Sequence, residues 1–254
     1  MLVTYDGIVV GRREVGDNSC FIDILTDEQG IVEAAAHGAK KINSSLLSSA
    51  ALFSYSTFCL SKNKLRYTVN SAKPKYSFHE LSADIEKLAL ASYFAQAVRF
   101  CTPEEQPQDS IVRFFAIALY ETNAASEPDT VRSAFELRYS AMLGFTPDLR
   151  GCMNCGCYEH DEMFFLPDRG ELVCGGCFDR EYGGRVFRLN AEVLSAMRSI
   201  LYSPLNRAFR LRVSRENVPL LSQVTEDYFL SRTERTFKAL EYYLEVRGKR
   251  PEAR

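Results

Sequence analysis

The sequence is short of what most enzymes need. Its 254 residues include three histidines, His37, His79 and His160, so a Ser-His-Asp arrangement could form only by accident. Neither His-Glu-x-x-His nor a Gly-x-Ser-x-Gly elbow is present. There is no Gly-x-x-x-x-Gly-Lys-Ser/Thr loop to cradle phosphates, and the glycines from Gly7 to Gly16 lack the dinucleotide spacing. Asp17, Asp23 and Asp27 could in principle gather around Mg2+, but strand and turn positions account for them. An enzyme is not expected. No apolar run approaches the roughly 18 residues that cross a bilayer. The opening MLVTYDGIVVGRRE lacks a basic region followed by an apolar core and a cleavage site, so a cytoplasmic chain is expected. In that reducing compartment eight cysteines do not read as a disulfide framework.

Acid is missing locally. The chain carries a formal net charge of -2, yet no Asp or Glu occurs between Glu33 and Glu80. That stretch holds Lys40, Lys41, Lys62, Lys64, Arg66, Lys73 and Lys75. A merely soluble face mixes both signs, so the asymmetry points to a polyanionic partner.

What is present falls into two parts. Up to about residue 76 the pattern is of short strands: Tyr5 to Arg12, interrupted by Gly7 and Gly11; Cys20 to Leu25; Ile31 to Ala36; Leu52 to Leu60; and Leu65 to Ala72. In the fourth, Phe53, Tyr55 and Thr57 share one face and Ser54, Ser56 and Phe58 the other. In the fifth, Leu65, Tyr67 and Val69 lie together. With a polar connector from Gly38 to Ser49, five strands suggest a small closed barrel, which also removes edge strands. Phe53, Tyr55, Phe58, Tyr67, Tyr76 and Phe78 interleave with the cations. Charge that tracks phosphates beside rings that stack on bases is how single strands are held. The plainer alternative is a barrel with aromatic core and solvated lysines.

Past Pro74 the period becomes helical. Helices are expected over about Ser82 to Cys101 (Ser82 as N-cap, Pro103 marking the end), Ile111 to Asn123, Thr130 to Leu143 with Gly144 as stop, and Asn190 to Tyr202. Pro219 to Arg247 reads as one long helix or two, and Lys249 to Arg254 as a basic tail. The expected architecture is α+β: a barrel domain at 1-78, a helical domain at 79-254, and a metal element inserted at 150-180.

That insert is CMNCGCYEHDEMFFLPDRGELVCGGC, with Cys-x-x-Cys pairs at Cys152/Cys155 and Cys174/Cys177. Two residues between paired cysteines let both sulfurs of a tight turn face one tetrahedral ion. Met163 to Leu166 and Glu171 to Val173 read as strands around a Pro167 to Gly170 turn, a hairpin that returns the second pair to the first. A structural Zn2+ is expected, with Cys157 and His160 near enough to replace a ligand. A catalytic ion needs an open position, whereas four thiolates saturate it. A zinc hydrolase and an RNA-binding or transcription-associated zinc-ribbon protein remain the competing classes.

Specific blocks also match a known family. The opening DGIVVGRREVGDNSCFIDILTDEQGIVEAAAHGAKK, then SSLLSSAALFSYSTFCL, ADIEKLALASYF, FELRYSAMLGFTPDLRGCMNCG and the late TFKALEYYL resemble RecO, the bacterial recombination-mediator family. The resemblance implies an OB-fold barrel that binds single- and double-stranded DNA, followed by a helical domain holding the zinc element. It further implies annealing of complementary strands, a nucleoid-associated location, and partnership with RecR and with the acidic tail of the single-strand-binding protein to help load the recombinase. RecF is a further candidate partner. The family's basic connector falls on Lys40 and Lys41. Where relatives often carry arginine after their Ser-x-Leu, this sequence has Leu47-Ser48-Ser49, which shifts weight to Lys62, Lys64 and Arg66.

Overall fold

The computed structural model describes residues 1–63, 66–102, 109–179 and 182–248. Lys64 and Leu65, Pro103, and the 249–254 tail lie outside them. Two compact units emerge, Met1–Ala124 with Phe237–Arg254, and Ala125–Thr236.

In the first unit, β1 (Leu2–Val15), β2 (Ser19–Thr26), β3 (Gly30–Ala36), β4 (Ser54–Asn63) and β5 (Arg66–Ser77) close into a barrel of order β1-β2-β3-β5-β4. All pairs are antiparallel except β3 with β5. The ladder Arg12, Ile22, Ala34, Tyr67, Lys62 circles the barrel and returns to β1 beside Met1, not at Arg12. That offset is the stagger a tilted, closed sheet requires. Val9, Ile22, Ile24, Phe58 and Leu60 fill the interior, and Ala39, Leu46 and Ala50 of the connector pack on the same core.

β1 runs through Gly7 and Gly11 rather than being interrupted by them. A Cβ on Gly7 would stand 2.6 Å from Ile24 Cγ2, and one on Gly11 2.5 Å from Asp23 Oδ2. The glycines admit close approach of β2 beside a bulge at Val9/Gly11, where the long strand bends. Alternation in β4 keeps the expected faces from Ser54 onward, and only Phe53 departs from them. Ser54, Ser56, Phe58 and Leu60 point inward, Tyr55 and Thr57 outward, and Phe53 is buried just before the strand at a φ of 62°.

A 3-10 turn, His79–Ala83, leads to α1 (Ile85–Cys101), and α2 (Asp109–Ala124) follows. The N-cap of α1 is Asp84, not Ser82. Asp84 Oδ1 accepts from the amides of Glu86 (2.9 Å) and Lys87 (3.3 Å), while Ser82 is spent on His79 O. Asp23, whose pKa burial raises, is committed to Arg99 at 2.6 Å.

The second unit contains α3 (Pro128–Met142), in which Pro128 opens the first turn, where no amide hydrogen is needed. Then come β6 (Asp148–Cys152), β7 (Met163–Leu166), β8 (Glu171–Cys174) and β9 (Phe187–Leu189), in sheet order β6-β8-β7-β9. α4 (Ala191–Tyr202) and α5 (Val218–Thr233) complete the unit. The C-terminal segment is two helices: Glu234 adopts the left-handed conformation, and α6 (Lys238–Val246) starts anew in the first unit. There Phe237 meets Tyr93 of α1 edge-on at 5.7 Å. No helix is long and apolar enough to cross a membrane among the described residues.

Candidate metal centre and nucleic-acid interface

The β7–β8 hairpin pairs Met163 with Cys174 and Leu166 with Glu171, which carries Cys174 and Cys177 back toward the first knuckle. The hairpin is anchored by Phe165, whose ring meets Tyr228 of α5 edge-on at 5.6 Å. Each knuckle is a tight turn: the Gly156 amide donates to Cys152 O (2.8 Å) and the Cys177 amide to Cys174 O (2.9 Å). Gly151 must stay glycine, because a Cβ there would lie 2.9 Å from the carbonyl oxygens of Gly156 and Cys157.

The sulfurs of Cys152, Cys155, Cys174 and Cys177 all lie within 4.8 Å of one another. Cys155 and Cys174 are 3.7 Å apart, against about 3.8 Å for a tetrahedron with metal–sulfur bonds near 2.3 Å. The four residues therefore fit one ion. Burial opposes ionisation at Cys152, yet backbone amides of Cys174, Cys155 and Asn154 outweigh it and lower the thiol's pKa to about 6. Without a cation, sulfurs so close resist ionising together: hydrogen bonding to Cys155 first, then to Cys174, drives Cys177 up to about 12. A divalent ion reverses that penalty.

Cys157 and His160 stand beside the quartet and are not members of it. Hydrogen bonding to Cys155 pushes the Cys157 thiol up to about 12, and His160 Nδ1 accepts from the Glu162 amide at 3.1 Å.

The barrel cations do not gather into one patch. Lys62 and Arg66 flank the tip of the β4–β5 hairpin. Lys40 and Lys41 follow β3 in the connector, and Lys40 N donates to Asn18 O. Lys73 pairs with Thr57, itself opposite Asp6, about 20 Å along β5 from Tyr67. Lys64 lies outside the described residues.

The acid-free run of sequence is not an acid-free surface either, because β1 supplies the missing carboxylates. Glu14 holds Lys40 at 2.8 Å, and Asp6 is ion-paired with Lys75. Burial of Asp6 opposes its ionisation, but Lys75 and Thr57 hold its pKa below the usual carboxylate range. Lys41, Arg66 and Lys73 are exposed and form no ion pair among the described residues. Lys62 lies over the Tyr67 ring and Lys75 over Tyr55, each at 5.1 Å. Of the aromatics singled out above, Phe53, Phe58 and Phe78 are core, Tyr55 and Tyr67 are partly buried, and Tyr76 is exposed. Sequence reading passed over Arg13, which adds a cation on β1 but is paired with Glu33 at 3.4 Å. Its place before the acid-free stretch hid it.

The sequence has counterparts among known proteins. The family described as Recombination protein O N terminal matches residues 1–78, and Recombination protein O C terminal matches 82–241. The chain belongs to the RecO family. "DNA repair protein RecO" of Symbiobacterium thermophilum is 30% identical over 253 residues, covering 98% of this chain and 99% of the relative. The protein of the same name from Acetivibrio thermocellus is 27% identical over 237 residues, covering 93% and 94%. That of Bacillus subtilis is 26% identical over 231 residues, covering 90% and 89%. Membership places the chain among DNA repair proteins, with no catalytic activity attached to that description.

Proposed function

We propose that this protein is a DNA repair and recombination mediator that binds single- and double-stranded DNA through residues 1-78. It anneals complementary strands and, with RecR, helps load the recombinase onto strands coated by single-strand-binding protein. Residues 79-254 serve as the partner-binding part, with the acidic tail of the single-strand-binding protein as one ligand. Lys41, Lys62, Lys64, Arg66 and Lys73 contact phosphates, while Lys40 and Lys75 contribute once Glu14 and Asp6 yield them. The ion is Zn2+, held by four thiolates as a staple. The protein works in the cytoplasm, at the nucleoid.

The observation that carries the reading is the set of exposed, unpaired cations, Lys41, Arg66 and Lys73, on a closed barrel in a chain of this family. Annealing joins two polyanions. A cationic surface displaces counterions from both, which makes affinity steeply salt-dependent, and bases left unread remain free to pair. The test is annealing of complementary strands pre-coated with the cognate single-strand-binding protein, with and without RecR. Acceleration by this protein is expected, modulated by RecR. Equal rates with and without the protein would refute the reading. Preference for RNA over DNA oligonucleotides would favour a zinc-ribbon RNA binder instead.

A further inference from the structure

The Ala125–Thr236 unit contains fourteen arginines and no lysine. Most of the described ones are occupied. Arg132 is buried against Asp129 (3.3 Å) and Glu136 (3.1 Å). Arg138 donates to the carbonyls of Ile200 and Leu201, closing the end of α4. Arg198 donates to Leu149 O and Tyr158 O and lies over the Tyr158 ring. Arg185 and Arg188 pair with Asp227 and Glu162.

The connection from α4 to α5 is different. Its sequence NRAFRLRVSREN presents Arg207, Arg210, Arg212 and Arg215, all exposed, with no ion pair or hydrogen bond among the described residues for their guanidinium groups. One acid, Glu216, stands among them, and the nearby carboxylate of Glu192 is already engaged. It accepts from Ser214 N (2.6 Å), Ser214 Oγ (2.8 Å) and Asn217 Nδ2, so it fastens the connection instead of neutralising it.

The connection is also held from below. Ala208 and Phe209 are buried, Leu211 and Val213 half-buried, and Arg210, Arg212 and Ser214 face outward between them. This alternation is that of an extended chain, which sets Arg210 and Arg212 about 6.6 Å apart on one side. Guanidinium groups are planar forks that take phosphate oxygens in pairs, where a lysine serves as a point charge. Exposed cations left unpaired on a fastened backbone repel one another until an anion arrives. Four exposed cations within nine residues suit a polyanion with several charges better than a single carboxylate.

We propose that Arg207, Arg210, Arg212 and Arg215 form a second nucleic-acid surface that contacts phosphates independently of the barrel. The inference rests on the reading that the protein handles DNA, and it supplies what annealing requires: a separate place on one chain for a second strand.

The test uses the full chain and a labelled oligothymidine, with affinity followed against salt. The variants are R207A/R210A/R212A/R215A, the same four positions changed to lysine, and K41A/K62A/R66A/K73A in the barrel. The arginine-to-alanine chain should lose about 2 to 3 from the slope of log affinity against log salt, near 0.7 per phosphate contact on single strands. The barrel variant should lose a similar amount, and the combined variant the sum. The lysine chain should recover most of the slope. A wild-type slope in the arginine-to-alanine chain would overturn the inference while leaving the barrel reading intact. No binding by wild type at low salt would instead overturn the reading beneath it. Failure of the lysine chain to recover, or loss of an acidic peptide's binding with DNA binding unchanged, would also overturn it.

Discussion

The barrel and the cysteine ribbon are both small β structures, and they hold together by different means. The barrel closes on itself, and its interior is hydrocarbon from Val9, Ile22, Ile24, Phe58 and Leu60. The ribbon's strands run from three to five residues, and its knuckle end leaves Met153 and Cys155 exposed. The ribbon's strands bury Leu149, Phe165, Leu172 and Val173, but its knuckle end is left to four sulfurs, whereas a closed hydrogen-bond ladder and a packed core serve throughout the barrel. On the proposed function, a reactive-looking cluster of five cysteines is the structural part, and a plain-looking barrel carries the binding surface.

Removing the metal should separate the two regions most sharply. A chelator, or Cys174→Ser, forfeits on the order of 10 kcal/mol of binding-coupled folding free energy. Hydrogen exchange should then accelerate throughout 148–179 while β1–β5 amides stay protected. Equal loss of protection in the barrel would erase the distinction.

Next in size is the barrel's charge. Replacing Lys40, Lys41, Lys62, Lys64 and Arg66 with alanine should lower the salt slope for single strands by about 3 and leave the metal content unchanged. Gly11→Ala probes the barrel's architecture: the added methyl meets Asp23 Oδ2 at 2.5 Å, so a loss of about 1–3 kcal/mol is expected in chemical denaturation. The ribbon's metal should be retained. The smallest effect is a gain. Asp6→Asn and Glu14→Gln free Lys75 and Lys40, and oligonucleotide affinity should rise by about twofold to fivefold at low salt. Unchanged affinity would place those lysines outside the DNA path.

Much of this was legible in the sequence, for identifiable reasons. Metal spacing is local, so Cys152, Cys155, Cys174 and Cys177 could be read directly, and the hairpin between them follows from Pro167 and Gly170. Strand positions were legible because alternation is local too. Pairing is not. Nothing local announces that Asp6 will meet Lys75, 69 residues away, or that Glu14 will reach Lys40. For that reason a run without acids looked more basic than the surface it forms. The cap of α1 went to Asp84 because its carboxylate reaches two amides, a competition that residue type at Ser82 does not reveal. The arginines at 207–215 were visible as letters. Their significance needed knowledge of which other arginines were already paired.

The most direct test of the account is the salt dependence of oligonucleotide binding by the chain with five barrel cations removed, measured beside its metal content. The account predicts a shallower slope with a full complement of metal. A slope equal to that of the unaltered chain, with the metal still in place, would contradict it.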